Sequence, residues 1–75
     1  MIVYDPLWET MKKRNITAYA LVKKHGFNSA NIFRLRHNEY VSTYMINKLC
    51  KTLNCTVEEV LLFKPDDEIE QDGAK

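Results

Sequence analysis

Gly26 is one of only two glycines in the 75-residue chain, and it falls between two short stretches that both read as helix. Upstream, Thr17 is a good N-cap for a helix over 18–24, with Leu21 and Val22 inward and Lys23 and Lys24 in its last turn. Gly26 stands where a left-handed residue ends a helix at no steric cost. Downstream, Asn28 caps a helix over 29–37 whose inward pair is Ile32 and Leu35. A joint as short as His25-Gly26-Phe27 forces a large angle between the two helices, and this is the signature of a helix-turn-helix over Thr17–Arg36. Apolar side chains stand at the four positions it must bury: Leu21, Phe27, Ile32 and Leu35.

The rest of the chain supplies a frame for that unit. Asp5-Pro6 opens a helix over 6–14 with Leu7, Trp8 and Met11 as its stripe and Lys12, Lys13 and Arg14 at its C-terminal end. Ser42 caps a helix over 43–53, where Met45, Ile46, Leu49, Cys50 and Leu53 follow helical spacing. Thr56 and Glu59 stand at capping-box spacing and open a short fifth helix, with Val60 and Leu61 closing the core. The expectation is an all-α, five-helix domain over residues 1–64. Residues 65–75 are acidic and, Ile69 apart, almost free of aliphatic side chains, so they read as a flexible tail. Two apolar pieces, Ile2-Val3-Tyr4 and Leu61-Leu62-Phe63, could pair as edge strands. Cys50 and Cys55 are too few for a disulfide scaffold and read as reduced thiols among apolar neighbours.

The net charge of +1 conceals an asymmetry. Residues 1–64 hold ten basic and five acidic side chains, a balance of +5, whereas residues 65–75 balance at −4. Between Met11 and Lys51 there are nine bases and one acid, Glu39. A basic body of this kind suits a polyanion.

At about 100° per residue, inward Ile32 and Leu35 turn Ala30, Arg34 and His37 outward, flanked by Ser29, Asn31 and Phe33. That face can meet base edges in a major groove. Arg34 matches guanine, Asn28 or Asn31 adenine, and Ala30 and Phe33 the thymine methyl. Around it, Thr17 and Ala18 at the start of the second helix, Ser42 and Thr43 at the start of the fourth, and Lys13, Arg36, His37 and Lys48 are candidate phosphate contacts, with Lys12 beside them.

Several segments together resemble the Cro/cI-type (xenobiotic-response-element) helix-turn-helix family in its short single-domain form. They are Tyr4-Asp5-Pro6-Leu7-Trp8, Asn15-Ile16-Thr17 leading into Leu21, and Gly26-Phe27-Asn28, followed by Asn38-Glu39-Tyr40-Val41-Ser42 and Leu49-Cys50-Lys51-Thr52-Leu53-Asn54-Cys55. The likeness runs over residues 2–65. It implies a lambda-repressor-like fold, base contacts from Asn28, Ser29, Ala30 and Arg34 with Ala18 nearby, and dimers on inverted repeats of duplex DNA. The chain departs from the pattern in carrying Val22 where a small Ala is usual and Ser29 and Ala30 where Gln is common. Part of any sequence preference then falls to DNA shape.

Other chemistries find no support. Cys-x-x-Cys, His-x-x-x-His and a Gly-rich phosphate loop are all missing, neither histidine is paired with a nucleophile, and the late acids lack calcium-loop spacing. The expectation is a non-enzymatic, cytoplasmic repressor-type regulator without metal, cofactor, small-molecule ligand or membrane span. The competing class is a protein-interaction module, antitoxin-like or an adaptor, docking through Phe33, Tyr40 and Tyr44.

Overall fold

Four positions where the chain must leave a helix or turn sharply adopt left-handed backbone: Asn15 (φ 59°), Gly26 (φ 73°), Asn38 (φ 54°) and Asn54 (φ 53°). Asparagine tolerates this region because its short side chain bonds locally, and glycine because it has no Cβ. These four bends divide the computed structural model, which describes residues 1–65, into β1 (Ile2–Val3), α1 (Asp5–Arg14), α2 (Ala18–Lys23), α3 (Ser29–Arg36), α4 (Thr43–Leu53), a 3-10 turn (Val57–Glu59) and β2 (Leu62–Phe63).

The helix starts follow their caps. The Thr17 hydroxyl accepts from the Ala20 amide at 3.0 Å, Asn28 Oδ1 from Ala30 at 2.7 Å, and the Ser42 hydroxyl from Met45 at 3.1 Å. At α1 the helix begins one residue early. Asp5 is already helical, so its carboxylate acts on the first-turn dipole while Pro6 fills a position that needs no N–H.

The chain is mostly helical, yet its fifth helical segment is a single 3-10 turn rather than an α-helix, and a small sheet is added. Thr56 donates its amide to Glu59 Oε1 at 2.9 Å, so the start signal operates. Propagation stops because Val60 goes fully into the core and the residues beyond it pair with the N-terminus. The pairing is antiparallel, Ile2 opposite Phe63 and Val3 opposite Leu62, with Lys64 N–H donating to the Met1 carbonyl at 2.8 Å. The expected edge-strand pair is therefore present, minus Tyr4 and Leu61. The expectation for the acidic tail lies, Pro65 apart, outside the described residues.

One core unites every helix: Tyr4, Leu7, Met11, Leu21, Phe27, Ile32, Leu35, Met45, Leu49, Leu53 and Val60. Burial of such side chains contributes roughly 1.5–3 kcal/mol each before entropy is counted. Three long-range polar contacts stitch its edges. The Tyr4 hydroxyl donates to the Glu39 carbonyl at 2.9 Å, Thr10 to the Glu59 carbonyl at 2.7 Å, and Arg14 Nε to the Leu53 carbonyl at 2.8 Å. The Arg14 bond caps the last turn of α4 with a cation, where the helix dipole favours one.

Candidate nucleic-acid interface

α2 and α3 meet across residues 24–28, where the Phe27 amide donates to the Leu21 carbonyl at 3.0 Å and the Phe27 ring is buried. With Leu21, Ile32 and Leu35 also buried, α3 has one fixed inner side. Its outer side is set by helical geometry and carries exposed Ser29, Ala30, Phe33, Arg34, Arg36 and His37, with Asn31 half-buried.

The polar groups on this face are already organised. Arg34 Nη1 donates to Asn31 Oδ1 at 3.1 Å, one turn back on the same helix. The Phe33 and His37 rings stack with centroids 4.0 Å apart at 28°, and His37 Nδ1 lies 2.9 Å from the Phe33 carbonyl. Phe33 is thus an exposed aromatic with a partner on its own helix. The side-chain oxygen of Asn28 is held in its cap, and its side-chain N–H groups are the donors left to reach outward.

Beside α3 runs a cleft of about 310 Å³ lined by Trp8, Lys12, Asn15, Thr17, Ala18 and Arg36 together with Met11 and Ile16. It gathers Thr17, Ala18 and Arg36 from among the expected phosphate contacts. Lys12 lines this cleft; Lys13 lies elsewhere, close enough to the Glu59 carboxylate to help hold its proton affinity down. Lys48 reaches across from α4 to the joint itself, its Nζ 3.2 Å from the Gly26 carbonyl and 4.5 Å from the Phe27 ring centre. Ser42 and Thr43 are exposed at the start of α4.

Another groove, of about 440 Å³, lies between α4 and the 3-10 turn and is lined mainly by Ile46, Cys50, Cys55, Val57 and Leu61. Both cysteines are free, and burial, followed by the neighbouring Cys50, pushes the Cys55 thiol up from its ordinary value. Nearby, Val57, Leu62 and Phe63 are exposed.

The model of the Cro/C1-type helix-turn-helix DNA-binding domain matches residues 6–66 of the sequence. The chain belongs to this family. As a Cro/C1-type domain it is also similar in structure to a solved protein, the transcriptional regulator VanUg. That likeness has a TM-score of 0.78 at 25% identity and covers 85% of each chain. No curated protein sequence matches the chain significantly. Family and fold together make it a helix-turn-helix DNA-binding domain. Among the described residues no helix is long and apolar enough to cross a membrane.

One contact at this interface was not visible in the sequence. Arg36 Cζ sits 5.1 Å from the centre of the Trp8 ring, and the two residues are 28 positions apart. Sequence reading assigns Trp8 to the apolar stripe of α1, and no periodicity links it to α3.

Proposed function

We propose that residues 1–64 form one sequence-specific, double-stranded DNA-binding domain that represses transcription as a homodimer on an inverted repeat, in the cytoplasm. α2 and α3 are its helix-turn-helix, and α3 enters the major groove. The observation that carries this reading is the outer face of α3, where Arg34 is held ready by Asn31 on a helix fixed by buried Ile32 and Leu35. Arg34 reads guanine, Asn31 steadies it, and Asn28, Ser29, Ala30 and Phe33 line the adjoining base edges. Thr17, Ala18, Arg36, His37, Ser42, Thr43 and Lys48 approach backbone phosphates, and Lys13 adds to the field.

One domain makes few contacts, so a second copy on a half-site about 34 Å away completes the affinity. The apolar end made by exposed Val57, Leu62 and Phe63 with half-buried Leu61 is the face proposed for that pairing. Selection of bound sites from a random duplex pool tests the reading, with recovery of a palindrome containing guanine in each half-site as the expected result. Affinity should fall steeply with salt. Binding that is absent or insensitive to salt favours the adaptor class, and a light-scattering mass of one chain, with and without DNA, rejects the dimer.

A further inference from the structure

We infer that Trp8 is a positioning residue for DNA binding: its indole face holds the Arg36 guanidinium at the cleft beside α3, ready for a backbone phosphate. The inference rests on the DNA-binding reading above and names how one contact within it is built.

The 5.1 Å separation between Arg36 Cζ and the Trp8 ring centre is within the range where an aromatic face attracts a cation, and tryptophan is the strongest such face. A cation over a ring face is attracted by the π-electrons and needs no hydrogen-bond acceptor for its N–H groups. Among the described residues none of those groups makes a hydrogen bond or ion pair. The other well-placed cations differ in this respect. Arg14 spends donors on the Leu53 and Asn54 carbonyls, Lys48 on the Gly26 carbonyl, and Arg34 on Asn31. Arg36 is held by a contact that consumes no donor.

Its surroundings suit a single anion. Lys12 lines the same cleft, no Asp or Glu does, and the Thr17 hydroxyl accepts from the Ala20 amide, so its own proton remains available to donate. A free arginine loses rotamer freedom when it captures a phosphate. One already held over a ring loses less, and its planar fork can still meet two phosphate oxygens at once. Trp8 is suited to this because it sits half-buried on α1, anchored against the core while its face borders the cleft.

Anisotropy titrations of the full chain with a labelled mixed-sequence duplex of about three helical turns, repeated across salt concentrations, test the role. Variants are Arg36→Gln, Trp8→Leu, Trp8→Phe and the combined Trp8→Leu/Arg36→Gln, each checked for folding by circular dichroism. Arg36→Gln should lower the slope of log affinity against log salt by about one. Trp8→Leu should weaken binding about two- to fivefold, and should have no effect in the Arg36→Gln background. Trp8→Phe retains a ring face and should recover part of the loss; paired with Arg36→Gln it gives the same comparison if Trp8→Leu does not fold. Trp8 is the sole tryptophan, so Arg36→Gln should also shift its emission in the free chain. Equal weakening by Trp8→Leu with and without Arg36, or an unchanged emission spectrum, overturns the role of Trp8 alone. Wild-type chain that fails to bind the duplex in a salt-dependent way overturns the DNA-binding reading and this role together.

Discussion

Arg34 and Asn31 form a donor–acceptor pair one turn apart on α3, with Nη1 3.1 Å from Oδ1. The bond points the Asn31 oxygen at Arg34, so an adenine would have to share or displace that contact. It acts as a brace for Arg34. On an operator obtained by selection, Arg34→Ala should cost roughly 1–3 kcal/mol and relax preference at one base pair. Asn31→Ala should cost less and relax preference at that same base pair. Competition binding with single-base operator variants checks both; relaxation at a different position would assign Asn31 a base of its own.

Gly26 is required for its backbone and not for space. An added Cβ would meet no heavy atom within 4 Å, yet φ is +73°. Gly26→Ala should therefore destabilise by about 1 kcal/mol through left-handed strain alone, and Gly26→Asn by less. Urea unfolding measures both. The Lys48 contact to the Gly26 carbonyl survives either change, so the shape of the joint in the folded fraction should hold.

The joint, the caps and the inner faces of α2 and α3 were legible because they depend on residues within a turn or two of one another. Thr17, Asn28 and Ser42 cap where local chemistry places them, and Leu21, Phe27, Ile32 and Leu35 are buried as their spacing requires. Three features were not legible, each for want of a local partner. Tyr4 is buried because Glu39 and Asn38, more than thirty residues on, receive it; Lys48 turns to the joint because α4 packs across it; and Arg36 finds Trp8 from another helix. The 3-10 turn was read as an α-helix because a capping box reports where a helix starts. Its length is decided by β1 pairing with the residues that follow.

Tyr4 ties the N-terminal strand to the loop between α3 and α4. Its hydroxyl donates to the Glu39 carbonyl at 2.9 Å while its amide donates to Asn38 Oδ1 at 3.1 Å. Desolvation pushes the phenol up from its ordinary value, as expected of a hydroxyl held as a neutral donor. Tyr4→Phe keeps the buried ring and removes only the hydroxyl bond. Glu39 is exposed and water can replace the donor, so the loss should be about 0.5–1 kcal/mol. A thermal melt measures it. A loss several times larger would mean that the bond also fixes the loop carrying Ser42.

Glu59 links stability to pH. Its carboxylate accepts from the Thr56 amide at 2.9 Å, and this bond, aided by Arg14 and Lys13, holds it below its ordinary value of 4.5. In the unfolded chain those partners are gone and the carboxyl binds its proton more readily. Between the two values the unfolded state carries more protons, so stability rises with pH there. The contribution is complete above about pH 4.5 and is lost as pH falls through the lower folded value. Glu59→Gln keeps an acceptor for the Thr56 amide but cannot titrate. It should lower the melting temperature slightly at neutral pH, where the attraction to Arg14 and Lys13 is lost, and flatten the decline on acidification. Melting curves for both proteins from roughly pH 7 to 3 check this, and added salt should shrink their difference at neutral pH because these charges are solvated. Parallel acid declines in the two proteins would show that another carboxylate carries the effect.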